Sequence, residues 1–167
     1  MTLQVEYRTG IGFDAHRFVA GRPLRLGGIN IPWPFGLKGH SDADVLLHAI
    51  ADALLGAAGM GDIGKHFPDM DDRFKDIDSG VLIGRIVQML EHEKIEIVWV
   101  DVIVIAEKPK ILPYVDSMCS RISELLKITS KSINIKGKTM EGMGWIGRNE
   151  GIAAQAVVTV KCAHGER

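Results

Sequence analysis

Residues 95 to 106 are apolar on both alternating faces apart from Glu96 near the start, with Asp101 the odd residue in the middle, and this run most constrains the fold. A strand of that kind predicts a central position in a sheet. The rest of the chain supplies its neighbours. An opening strand is expected over about residues 4 to 17. A hairpin follows in Pro23 to Ile31, whose Gly27-Gly28 pair suits a tight two-residue turn. Pro32, Trp33, Pro34 and Gly36 then break regular structure. A first helix is expected over about 42 to 58, with Leu47, Ile50, Ala51, Leu54 and Ala58 at helical spacing, and a second from Ser79, as cap, to about Glu93. Pro109 and Pro113 bracket a loop into a third helix carrying Val115, Met118, Ile122 and Leu125. Strands at about 132 to 138 and 152 to 162 close the chain. Three helices and one dominant sheet predict an α+β fold: a two-layer sandwich of mixed sheet with its helices on one face.

A length of 167 residues suits one domain spanning 1–167 with a real core, and no composition break divides it. Lys plus Arg (20) balances Asp plus Glu (21), so overall charge gives no argument for nucleic-acid or membrane partners. An anionic substrate must be recognised locally. Cys119 and Cys162 match neither a disulfide framework nor a metal knuckle, which predicts a reducing compartment, the cytoplasm by default. The first eight residues lack an apolar signal core, and no apolar stretch is long enough to span a bilayer. A plastid form processed to this start would read the same way.

Asp14 and His16 sit two residues apart on the opening strand, which puts a carboxylate and an imidazole on one face. Ser41 is expected to cap the first helix, and His48, two turns in, can reach back toward that strand. Asp, His and His from two rigid elements suit a tetrahedral Zn²⁺ with one position open to substrate. Ordinary surface or core hydrogen bonding is the competing reading of the same spacing. Asp44 and Asp52 each lie one turn from His48, so either can accept its free N–H and fix the tautomer of a metal-bound imidazole, unless both simply line a solvated helix face. The loop from Gly59 to Asp71, rich in turn formers and carboxylates, is either a binding loop or a solvated one. His66, His92 and His164 have no evident partner and are expected at the surface.

Taken in order, Gly12-Phe13-Asp14-Ala15-His16, Gly39-His40-Ser41-Asp42-Ala43-Asp44, Asp52 to Ala58, Gly61-Asp62-Ile63-Gly64-Lys65-His66-Phe67-Pro68-Asp69 and Gly147-Arg148 resemble the 2-C-methyl-D-erythritol 2,4-cyclodiphosphate synthases over nearly the whole chain. The resemblance implies an enzyme of non-mevalonate isoprenoid biosynthesis. It would convert 4-diphosphocytidyl-2-C-methyl-D-erythritol 2-phosphate into the cyclic diphosphate and CMP, as a metal-dependent phosphorus–oxygen lyase. The substrate's own 2-phosphate would attack the β-phosphorus, so no covalent nucleophile is required of the protein. Carried over by position, Asp14, His16 and His48 hold Zn²⁺, and Glu141 helps hold Mg²⁺ or Mn²⁺ on the substrate diphosphate. His40 and Thr139 match the groups that stabilise the transition state, and Ser41 a phosphate contact; read without the family, these are a loop histidine and a strand-end threonine. Asp62, Ile63 and Gly64 match the segment for the sugar-like hydroxyls, and Phe67, Pro68, Asp69, Met70 and Asp71 the adjoining substrate loop. Ala15 lies between two of the ligands. Ala106, Glu107, Lys108, Pro109, Lys110, Ile111 and Leu112 match the cytidine pocket, and Lys138 and Met140 flank Thr139.

The resemblance further implies a homotrimer with active sites between subunits, and a central cavity near Trp145, Arg148 and Glu150 that accepts isoprenoid-like ligands. The length of 167 residues is expected to leave no room for the cytidylyltransferase domain fused to some members. Three positions depart from glycines usual in the family: Ala43, Asp76 and Asn149. Trp145 replaces a frequent Phe. Two other classes fit the same residues: a zinc phosphohydrolase, with water as the attacking group, and a non-catalytic trimer that senses isoprenoid diphosphates.

Overall fold

The computed structural model describes residues 4–68 and 72–164, so Asp69, Met70 and Asp71 of the expected substrate loop lie outside it, as does the side chain of His164. In chain order the elements are β1 (Gln4–Val19), β2 (Leu24–Leu26), β3 (Ile29–Ile31), β4 (Gly36–Leu37), α1 (Val45–Ala58), the single turn α2 (Ile63–His66), α3 (Ser79–His92), β5 (Ile95–Ile105), α4 (Val115–Leu126), β6 (Ile133–Lys138), the single turn α5 (Gly144–Gly147) and β7 (Gly151–His164). The main sheet has the order β4-β1-β7-β5-β6. It is mixed, because β5 and β6 run parallel while the other pairs are antiparallel. The predicted hairpin forms β2–β3, with both Gly27 and Gly28 at positive φ (61° and 77°) as a two-residue primed turn requires.

Alternation along β1 and β7 assigns the two sheet faces. Gly10, Gly12, Ala154, Ala156, Val158 and Val160 are buried with Val100, Val102 and Val104 of β5. They share one core with Leu82, Ile83 and Ile86 of α3 and Met118 and Ile122 of α4, so the helices cover that face. The central helix α1 packs so closely on β1 that a Cβ at Gly10 or Gly12 would run into the carbonyl of Ala53 or Ala49. Glycine is required there by approach rather than by φ. Most of α1 is buried around its circumference, and His48 and Asp52, one turn apart, form its half-buried polar stripe.

The opposite face is open. Ile11 and Phe13 of β1 are 64% and 58% exposed, and Trp99 of β5 is 43% exposed. The apolar run 95 to 106 is therefore buried on one face within this chain, as helices on one side of the sheet imply. On the other, Asp101 pairs with Lys136 at 2.7 Å and Asn134 at 2.8 Å across the parallel ladder. Burial alone would raise the Asp101 carboxyl; these two donors hold it below its ordinary value.

The helix starts also need correction. Asp44, not Ser41, caps α1, accepting from Leu47 N; Asp78, not Ser79, caps α3, accepting from Gly80 N. Asp44 wins because its fully buried carboxylate also accepts the amides of Gly27 at 2.9 Å and Gly28 at 2.7 Å, donors that no other side chain of the 40–44 run reaches. Burial pushes the Asp44 carboxyl up, and these amides oppose it. Ala43, Asp76 and Asn149, the departures from glycine, sit at φ of 56°, 55° and 58°. The left-handed backbone is the physical reason for glycine at such positions.

Candidate functional site

The pleat of β1 points Asp14 and His16 toward the helix layer, and the exposed edge of α1 points His48 at them. Asp14 Oδ2 lies 2.8 Å from His16 Nε2 and 2.9 Å from His48 Nδ1, and the two ring nitrogens are 3.3 Å apart. Among the described residues these form the one group of three or more side chains placed to hold a metal ion. One carboxylate oxygen and two imidazole nitrogens, all part-exposed, are the donor set of a catalytic site with an open position. The residues present therefore fit a divalent cation of zinc type. Burial alone would raise the Asp14 carboxyl, but hydrogen bonds from His16 and His48 hold it far below the ordinary carboxylate range. Conversely, burial would lower His48, and Asp14 raises it.

The triad borders a cavity of about 230 Å³ that His40, Ser41, Ile63, Gly64 and Phe67 also line. The loop 39–41 is held from behind: the Arg22 guanidinium donates to Gly39 O at 2.8 Å and to Ser41 O in a shorter bond, and Asp76 N donates to His40 O at 2.8 Å. Asp62 caps α2, accepting from Lys65 N at 2.9 Å, and Asp52 accepts from Ile63 N at 2.8 Å, so the 62–64 segment is anchored to α1. Burial raises the Asp52 carboxyl, against that amide.

A second grouping forms at the far side of the sheet. Glu107 accepts from Met140 N at 2.7 Å and Gly142 N at 3.4 Å, Ala106 N donates to Lys138 O at 2.9 Å, and the Thr139 hydroxyl donates to Glu141 Oε1 at 3.0 Å. The segment 106–112 is thus tied to 138–142, and Glu141 is held at φ 51°. Pro109, buried, follows a cis peptide bond, and Ile111 is buried while Leu112 is 83% exposed. Lys108 and Lys110 are exposed. None of these residues lines the triad cavity. Three strand spacings of about 4.8 Å, roughly 14 Å, separate β1 from β6 within one chain. Trp145 and Glu150 instead flank Ala15, His16 and Arg17 in a separate surface pocket, with Arg148 bonded to Glu150 at 2.6 Å.

Two expectations fail at His48. Neither Asp44 nor Asp52 is the partner of its free N–H: Asp44 accepts the amides of Gly27, Gly28 and Leu47, and Asp52 that of Ile63. The partners are Ser79 at 2.9 Å and Ser41 at 3.1 Å. Sequence offers no signal for Ser79, which is brought 31 residues back along the chain by the packing of α3 on α1. His66 is not an unpartnered surface residue either: its Nε2 lies 2.8 Å from Met60 O, fastening α2 to the end of α1. His92 is exposed, as expected, beside Glu93.

A family model described as the YgbB family matches residues 7–161. The chain belongs to the YgbB family. A curated relative from Methylobacillus flagellatus, a 2-C-methyl-D-erythritol 2,4-cyclodiphosphate synthase, is 54% identical over 92% of this chain and 96% of its own. The bifunctional IspDF of Campylobacter jejuni superimposes with a TM-score of 0.87 at 41% identity, over 95% of this chain and 43% of that one. This chain thus spans less than half of that protein. The IspF of Plasmodium falciparum, in a CDP complex, gives a TM-score of 0.83 at 32% identity over 93% and 96% of the two chains. Membership of the YgbB family makes the chain an enzyme of isoprenoid biosynthesis with cyclodiphosphate-forming, lyase-type chemistry. No helix among the described residues is long and apolar enough to cross a membrane.

Proposed function

We propose that this YgbB-family chain converts 4-diphosphocytidyl-2-C-methyl-D-erythritol 2-phosphate to 2-C-methyl-D-erythritol 2,4-cyclodiphosphate and CMP, in the cytoplasm. The observation that carries the reading is the convergence of Asp14, His16 and His48 beside a cavity lined by His40 and Ser41. In the reaction a 2-phosphate oxygen attacks the β-phosphorus, the bond from that phosphorus to the α,β-bridging oxygen breaks, and the electron pair leaves on CMP. When bound, Zn²⁺ at the triad and Mg²⁺ or Mn²⁺ at Glu141 supply charge neutralisation on the phosphate oxygens.

The protein's own groups position the two phosphates. His40 donates a hydrogen bond to developing charge, as does Thr139 once its hydroxyl turns from Glu141 to the substrate, and Ser41 donates to the neighbouring phosphate, in a site that the loop 39–41 keeps rigid. Asp62, Ile63 and Gly64 bind the erythritol hydroxyls, and Phe67 and Pro68 belong to the adjoining substrate-binding segment. The segment 106–112 reads cytidine, and Lys138, Met140, Trp145 and Arg148 complete the surround. The P. falciparum protein's CDP complex supports a cytidine diphosphate ligand.

The chain works as a homotrimer. The open apolar face with Ile11, Phe13 and Trp99 is a surface that association would bury, and a neighbouring copy brings its second grouping to a triad cavity that the chain's own 138–142 loop does not line. Around the axis, an apolar cavity near Trp145 takes an isoprenoid-like ligand. The whole of 1–167 acts as one catalytic domain. Turnover in ¹⁸O-labelled water tests the reaction: cyclisation leaves the product unlabelled, whereas a phosphohydrolase at the same site places solvent oxygen in it. Phosphate product carrying ¹⁸O would overturn the proposal.

A further inference from the structure

His48 has two faces, and the ligand reading of the triad uses only one. Nδ1 points at Asp14 and His16, while Nε2 points into the interior, 2.9 Å from Ser79 Oγ and 3.1 Å from Ser41 Oγ. Ser79, the first residue of α3, is 1% exposed. Its hydroxyl donates to Asp42 Oδ1 in a very short hydrogen bond, and its amide donates to Asp42 Oδ2 at 3.1 Å. The remaining neighbours of that carboxylate are Asp44 N at 3.2 Å and the Arg25 guanidinium at 3.7 Å. The Asp44 carboxyl is also near Asp42, but Ser79 and the Asp44 amide both donate to Asp42, so its carboxylate acts as the acceptor of this cluster.

A serine hydroxyl has one proton. With that proton committed to Asp42, Ser79 Oγ presents His48 with a lone pair alone. Nε2 must then carry hydrogen, which leaves Nδ1 as the nitrogen free to ligate. We infer that Ser79 and Asp42 are positioning residues, a buried pair that locks His48 in the Nε2–H form and so presents Nδ1 to the cation held with Asp14 and His16. The inference rests on the reading of those three residues as metal ligands. A consequence follows for Ser41. Because Nε2 is already protonated, Ser41 Oγ can only accept there, as it accepts from Ala43 N at 3.1 Å, and its own proton is left for a phosphate oxygen in the cavity.

Histidine-selective ¹⁵N labelling of the zinc-loaded protein, with His48 assigned by difference against His48→Gln, reads which ring nitrogen carries hydrogen. The expected result is a protonated Nε2, with Nδ1 showing the shift of a metal-bound nitrogen. Zinc affinity by chelator competition supplies the second measurement. Ser79→Ala removes the fixed acceptor, and Asp42→Asn offers an amide donor that turns the Ser79 proton toward Nε2. Each is expected to weaken zinc binding about 10- to 100-fold, the range for partners of metal-bound histidine. The melting temperature of each zinc-free variant is checked against the parent to show an intact fold. Hydrogen on Nδ1 in the zinc-loaded parent, or affinities in both folded variants within about twofold of the parent, would overturn the inference. Neither measurement uses substrate, so failure of the cyclisation reading leaves this result standing, and the reverse also holds.

Discussion

His48 Nδ1 lies 2.9 Å from Asp14 Oδ2 although the two residues are 34 positions apart in the chain. The contact requires α1 to lie directly on β1, which Gly10 and Gly12 permit by offering no side chain to the helix backbone. Removing a donor at this junction should cost the metal. His48→Ala and Asp14→Ala are each expected to weaken zinc binding by more than about 100-fold, beyond the range seen for outer partners of a ligand. Turnover should fall to background. Equilibrium dialysis followed by metal analysis checks this.

The charge pairing sets a pH dependence for the metal-free protein. Asp14 is lowered on folding, so its contribution is present above the unfolded carboxylate value of about 3.9 and is lost as pH falls through the folded value. His48 is raised, so its contribution is full below about 6.5 and is lost as pH rises through its folded value. Metal-free protein is therefore expected to lose thermal stability as pH rises above about 6.5 and through the raised folded value of His48. Asp14→Asn should flatten that slope. Zinc displaces a proton from His48, so the gain in melting temperature on adding zinc should grow across the same window. Melting curves with and without zinc decide both points.

Asp44 is a purely structural carboxylate that sequence reasoning places beside the metal. It ties the Gly27-Gly28 turn to the start of α1 through three amide hydrogen bonds of 2.7 to 3.1 Å. Asp44→Ala removes a cap and strands buried donors, at a cost of about 3 kcal/mol. Urea unfolding at constant zinc measures it. Asp44→Ser, which restores the cap alone, should recover only part of the loss.

Glu107 fastens the 138–142 loop through the amides of Met140 and Gly142. Glu107→Gln keeps an oxygen acceptor and is expected to retain most activity. Glu107→Ala should loosen Glu141 and lower kcat about tenfold while raising the Mg²⁺ concentration needed for half-maximal rate, with zinc content unchanged. Metal-dependence kinetics separate that pattern from general unfolding.

Phe13→Glu places a charge on the open sheet face. The variant is expected to sediment as a single 18.3 kDa chain, and the parent, on the proposed homotrimer, as three such chains. Activity should be lost together with association, because Glu141 does not line the triad cavity of its own chain.

What the sequence makes legible follows from how local each interaction is. Alternation on β1 puts Asp14 and His16 together, and the glycine pair at 27–28 announces its turn, because both depend on backbone geometry over a few residues. The start of α1 is harder. Ser41, Asp42 and Asp44 are all competent caps, and the choice is made by amides of a hairpin 16 or more residues away. The partner of His48 is less accessible still, since Ser79 reaches it only through the packing of α3, and no spacing rule spans that gap. Ala43, Asp76 and Asn149 show the converse: as departures from glycine they look like tolerated loop changes, and the structure finds all three at positive φ.

The most direct test of the central claim is phosphorus NMR of the metal-replete protein incubated with 4-diphosphocytidyl-2-C-methyl-D-erythritol 2-phosphate, beside a chelated control. Two mutually coupled signals of a cyclic diphosphate together with CMP, both lost on chelation, are the expected result. Linear phosphate products, or unchanged substrate with the triad metal in place, would contradict it.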